Sequence, residues 1–200
     1  MKTSASCLAA FVLLALPFAA SPAFAQTRLS GTIVAVDGPT MTIKSAKGEV
    51  KVTLAGKSTI FAVEKVTMDG IKKGEFIGVG AMPQADGSQR AVRINIFAES
   101  QRGTGEGHRA WSSDPKGTMT NATVDTTVGS FDGQVLMLKY KDGEKKIIVP
   151  PEAIIQRNML GSAVDLKPGA AVVISRATAK PDGTFETERV NVGRDGYTPQ

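Results

Sequence analysis

Residues 71–96 read IKKGEFIGVGAMPQADGSQRAVRINI, and residues 166–192 read LKPGAAVVISRATAKPDGTFETERVNV. Ile71-Lys72-Lys73-Gly74 matches Leu166-Lys167-Pro168-Gly169, Asp86-Gly87 matches Asp182-Gly183, and Arg93-Ile94-Asn95-Ile96 matches Arg189-Val190-Asn191-Val192. Working outward, Asp37-Gly38 with Thr40 to Lys44 resembles Asp132-Gly133 with Val135 to Lys139. The motifs keep their order and spacing, so the chain carries a duplicated unit. Two units are too few for a solenoid and point to a duplicated globular domain.

Each unit reads as β. Alternating or branched apolar residues fall at 32–36, 41–43, 50–54, 76–80 and 92–97, and again at 135–138, 146–149, 171–175 and 185–192. Turn pairs separate them: Asp37-Gly38, Lys47-Gly48, Lys73-Gly74 and Asp86-Gly87 in the first unit, and Asp132-Gly133, Asp142-Gly143, Pro168-Gly169 and Asp182-Gly183 in the second. No helical period runs for a dozen residues. Single helical turns are expected near 68–71 and 162–166. About five short strands in some 75 residues leave edges that closure removes, so the expected fold is all-β, two tandem small OB-like β-barrels. The expected bounds are 27–100 for the first barrel, 101–116 for a Gly-rich linker and 117–196 for the second barrel. Alternation points Ile94, Ile96, Val190 and Val192 inward and Arg93, Asn95, Arg189 and Asn191 outward.

Residues 1–25 read as a cleaved signal peptide. Lys2 gives a positive start, residues 8–20 (LAAFVLLALPFAA) form a short apolar run, and Ala23-Phe24-Ala25 places small residues for cleavage before Gln26. The run is shorter than the roughly 20 residues of a membrane span, and no later segment is more apolar. The expected address is therefore periplasmic or secreted, with no membrane span. Cys7 is the single cysteine and precedes the apolar run, so the processed chain has no disulfide and no thiolate metal site. Loss of Lys2 leaves 23 Lys+Arg against 19 Asp+Glu. That mild positive balance permits attraction to an anionic ligand without the dense patch nucleic-acid binders show, and no nucleic acid is expected.

No catalytic motif is complete. Gly56-Lys57-Ser58-Thr59 has the tail of a phosphate loop, but Lys51 stands where the first glycine belongs, and Ile60 to Val63 read as strand rather than helix. The expected element at 56–59 is a turn between strands. His108 is the only histidine. A metal site would need it with Glu99, Glu106 or Asp114, which lack diagnostic spacing. Ser112, His108 and Asp114 could be drawn as a triad, but no nucleophile elbow accompanies them. No catalytic residue, metal ligand or cofactor is assigned, and the chain is not read as an enzyme. The segment 99–116 has no counterpart in the repeat. It holds the only His and the only Trp, and Arg102, His108, Arg109 and Trp111 are its candidate partner-binding residues, since Trp and Arg are enriched at interface hot spots.

Arg102 to Trp111 (RGTGEGHRAW), followed by Gly117 to Val124 (GTMTNATV), with Asp86-Gly87-Ser88 before and Val192-Gly193-Arg194-Asp195-Gly196 near the end, resembles a family of proteobacterial exported proteins with tandem small β-barrels of unknown function. Members often carry the label of metal transporter permease. A permease needs several spanning helices, so the label implies at most an association with metal uptake. The resemblance brings no catalytic residues. The expected function is a non-catalytic periplasmic binding or scaffold protein, with an unknown periplasmic protein or anionic ligand as partner. The alternative is a soluble accessory protein in metal or cation handling.

Overall fold

The structure is a computed structural model that describes residues 26–130 and 133–200, without the side chains of 128–133. The signal-peptide reading of residues 1–25 lies outside the described residues, as does the Asp132 turn motif. The chain is all-β: β1 (Gln26–Asp37), β2 (Thr40–Ser45), β3 (Gly48–Lys65), β4 (Phe76–Pro83), β5 (Gln89–Ile96), β6 (Gly107–Trp111), β7 (Asp114–Ser130), β8 (Gly133–Tyr140), β9 (Gly143–Val149), β10 (Ile154–Leu160), β11 (Ala171–Ala179) and β12 (Phe185–Gly193). Short 3-10 turns occur at Met68–Gly70 and Ala163–Asp165, where single helical turns were expected, and a third at Glu99–Gln101.

The strands close into two five-stranded rings. Ring one runs β1-β2-β3-β12-β11 and back to β1. Ring two runs β4-β5-β9-β8-β7 and back to β4, with β5 and β9 meeting in parallel through Gln89↔Ile147 and Arg90↔Ile148. Each ring therefore takes three strands from one half of the chain and two from the other. This corrects the expectation of one barrel within 27–100 and another within 117–196.

The reason lies in β3. Its 18 residues span about 60 Å at roughly 3.3 Å each, far more than one small ring can use. Its first part pairs with β2, while its far end pairs with β10, Phe61 opposite Leu160 and Val63 opposite Asn158. The chain thus leaves ring one and deposits β4 and β5 in ring two. β9 and β10 make the reciprocal journey, and β10 runs parallel to β5. The order β12-β3-β10-β5 forms a central sheet that joins both rings.

Two cores result. One gathers Ile33, Met41, Ile43 and Val52 with Val172, Ile174, Val190 and Val192, and the other gathers Ile77, Val79, Ile94 and Ile96 with Val124, Leu136, Leu138 and Ile147. Each combines the two halves of the chain. Ile94, Ile96, Val190 and Val192 are fully buried, as alternation requires. The hairpin turns repeat atom for atom. The Asp86 carboxylate accepts the Ser88 N–H and hydroxyl at 3.0 and 2.6 Å, and that of Asp182 accepts the Thr184 N–H and hydroxyl at 2.9 and 2.7 Å. Gly87 and Gly183 both stand at φ 82°, a conformation that favours glycine.

Two further expectations change. Residues 56–59 are not a turn: they continue β3, and β12 shifts register opposite them, between Thr187 and Arg189. The expected linker 101–116 is partly strand, since β6 pairs along β7 with His108 opposite Thr120.

Candidate functional site

A concavity lies on ring one. A cleft of about 460 Å³ is lined by Gln26 at the start of β1, Lys57 and Thr59 of β3, Ser175, Arg176 and Thr178 of β11, and residues 186–189 of β12. The local fold that builds it is a bulge. The Thr187 hydroxyl accepts the Arg189 N–H at 3.2 Å and lies 2.9–3.0 Å from the carbonyls of Arg189 and Arg176. The extra residues are on β3, where 55–58 lie between Leu54, opposite Thr187, and Thr59, opposite Arg189. The guanidinium of Arg189 rests 5.2 Å from the Phe61 ring centroid, and such stacking holds an arginine in place. Lys57, Arg176 and Arg189 have no carboxylate within ion-pair distance among the described residues, whereas Glu186 is held by Lys180 at 2.8 Å.

Ring two has the same surface, covered. Val79 pairs with Thr120 as Ile174 pairs with Leu29. Gly80 therefore corresponds to Ser175, Gly117 to Gln26, and, by the repeat, Arg93 to Arg189. The indole of Trp111 lies on these three residues. A Cβ on Gly80 would stand 2.6 Å from it and one on Gly117 2.8 Å, while Arg93 sits 5.4 Å from the ring centroid. Burial, then repulsion by Arg28, pull the Arg93 guanidinium below its ordinary pKa, while Tyr197 pushes the other way.

The four sequence candidates do not form one site. Trp111 occupies the slot just described. Arg102 is turned to Glu99, at 2.6 and 2.8 Å, and to the Gly74 carbonyl at 3.0 Å. His108 and Arg109 do come together, at a depression of about 400 Å³ shared with Glu106, Tyr140 and Asp142. There His108 Nδ1 lies 2.8 Å from the Thr120 hydroxyl, and Arg109 donates to the Gly105 carbonyl at 2.6 Å. Burial, reinforced by Lys145, lowers the His108 pKa. Further bonds fasten this segment to ring two: Asn121 Nδ2 donates to the Thr104 carbonyl at 2.8 Å, and the Lys141 N–H donates to the Glu106 carboxylate at 3.1 Å.

Among the described residues no group of three or more His, Cys, Asp or Glu side chains could hold a metal ion, and no helix is long and apolar enough to cross a membrane. The cleft residues Lys57, Arg176 and Arg189 were missed as a group because β3, β11 and β12 meet only through the strand exchange. The signal available in the sequence was a contrast between repeats: Ser175-Arg176 stands where Gly80-Ala81 stands in the first unit. No family model, curated protein or solved structure matches this chain.

Proposed function

We propose that this chain is an exported, non-catalytic binding protein of the periplasm or medium, built of OB-like rings behind a cleaved signal peptide, and that it takes an anionic ligand in the ring-one cleft. The observation that carries the reading is the convergence of Lys57, Arg176 and Arg189 on one cleft with the hydroxyls of Thr59, Ser175 and Thr178. The three cations outnumber the two carboxylates of the cleft, Glu186 (held by Lys180) and Glu188, and with the neutral donors they suit carboxylate or phosphate oxygens, for which arginine offers paired N–H groups. Binding rather than catalysis rests on the sequence, where no catalytic motif is complete. The alternative, metal or cation handling, is supported by the family resemblance.

Calorimetric titration of the exported protein with citrate and with inorganic phosphate tests the first reading. Binding should weaken with ionic strength and be lost when Lys57, Arg176 and Arg189 are all made Ala. Titration with Zn²⁺ and Cu²⁺ tests the second. Tight metal binding that disappears in His108→Ala, with no anion binding, would replace the first reading by the second.

A further inference from the structure

In ring two, residues 118–121 of β7 are paired on both edges, by β4 on one side and β6 on the other. The equivalent stretch of ring one is residues 27–30 of β1. It pairs with β11 on one edge, but β2 joins β1 only from Gly31 onward. Among the described residues, the second edge of 27–30 therefore has no partner. Ring one lacks two things that ring two has in the same place: a strand on that edge, and an aromatic ring over the Arg–Ser–Gln surface that corresponds to Arg93, Gly80 and Gly117. The open cleft is the space that a Trp111 equivalent would fill.

Resting on the anionic-ligand reading above, we propose that the occupant of this cleft is an extended segment of a partner polypeptide. It adds as a strand to the free edge of β1 and places an aromatic side chain over Arg189, with carboxylates beside it. β6 and Trp111 are the template within the same molecule. An unpaired strand edge is a ready acceptor for such addition, where backbone bonds give affinity and side-chain pockets give selectivity. The charge differs from the template in the informative direction. β6 brings the cationic Arg109, whereas the ring-one cleft already holds Lys57, Arg176 and Arg189, which outnumber its carboxylates, Glu186 (held by Lys180) and Glu188, and the exposed Arg28 lies beside the edge. The partner must therefore be acidic where β6 is basic.

The test uses the exported chain and a capped synthetic peptide copying residues 107–114 with His108→Glu and Arg109→Glu. Two control peptides carry, in addition, Trp111→Ala or Ala110→Pro, the second removing a backbone donor. Indole-3-acetate is the small-molecule arm. The parent peptide should bind, and each control should bind at least tenfold more weakly. In the protein, Arg189→Ala and Ser175→Trp should each weaken it at least tenfold with circular dichroism unchanged, while the exposed Lys47→Ala leaves it unaltered. Amide exchange at residues 27–30 should slow with peptide and not with indole-3-acetate. Equal binding of the parent and proline peptides, or of indole-3-acetate and the parent, overturns strand addition and leaves the anion reading standing. So does failure of every peptide in a protein that still binds citrate. Slowed exchange at 27–30 in the unprocessed chain without peptide would give the edge to residues 1–25 and overturn the external partner. If neither citrate nor peptide binds, both readings fall.

Discussion

Gly80→Ala is the smallest change that probes the Trp111 slot. The new Cβ would meet the indole at 2.6 Å, closer than non-bonded carbons approach, and β4 offers no freedom to shift. The ring must lift, releasing its contact with Arg93. Because Trp111 is the only tryptophan, its fluorescence should move to the red and Tm should fall. Unchanged emission would mean the indole does not rest on Gly80. His108 gives a second residue-scale test. Its folded pKa lies below the ordinary 6.5, so the unfolded chain protonates first as pH falls. The stabilisation is complete above about pH 6.5 and is lost as pH drops through the folded value. Tm should therefore decline over that window, and His108→Gln should remove that part of the slope. Trp111 and His108 could be singled out in the sequence because each is unique. That they face different surfaces could not, because it depends on where β6 docks along β7.

At the scale of elements, legibility followed the apolar pattern. β4, β5, β11 and β12 were readable from alternation and their Asp-Gly turns. β7 and β10 were not, because they bury polar residues. β7 places Thr120 and Asn121 inside, and β10 does the same with Gln156 and Asn158. These buried amides are not alike. Gln156 Oε1 accepts the Tyr197 hydroxyl at 3.0 Å and the Gln200 N–H at 3.1 Å, and its Nε2 donates to Asn95 at 3.0 Å. Asn158 has one long bond, 3.4 Å to Gln101, and its Oδ1 has no partner. Stranding partners costs roughly 1–3 kcal/mol, whereas removing an unsatisfied group can be neutral or favourable. Gln156→Leu should therefore lower the denaturant midpoint clearly, and Asn158→Leu should leave it equal or higher. Equal losses in the two variants would refute this division.

For the whole molecule, the exchange of strands makes the two cores one cooperative unit. Ile94→Ala in ring two removes a fully buried side chain and should cost roughly 2–5 kcal/mol. Because β12 and β3 continue into the same central sheet as β10 and β5, calorimetry of this variant should still show a single transition at lower temperature. Two separated transitions would show the rings melting independently. The duplication itself was visible in the sequence. The exchange was not, since the same turns and strands serve a tandem or a crossed pairing equally well. What decides between them is the length and continuity of β3, which the stretch around Gly56 obscured by reading as a turn.

The crossing also sets a timetable. A chain that emerges N-terminus first, from a ribosome or through a translocation channel, presents β1, β2 and β3 early, yet their ring cannot close until β12 is out. Ring two has its last strand by Val149, while ring one waits for residues near Gly193. For most of its emergence the N-terminal third has no complete fold to enter. Closure between such distant segments is also slow, because the loop entropy must be met before contacts repay it. A molecule wired in this way stays threadable until nearly its whole length has passed, and it commits to its shape at the end of the journey rather than during it.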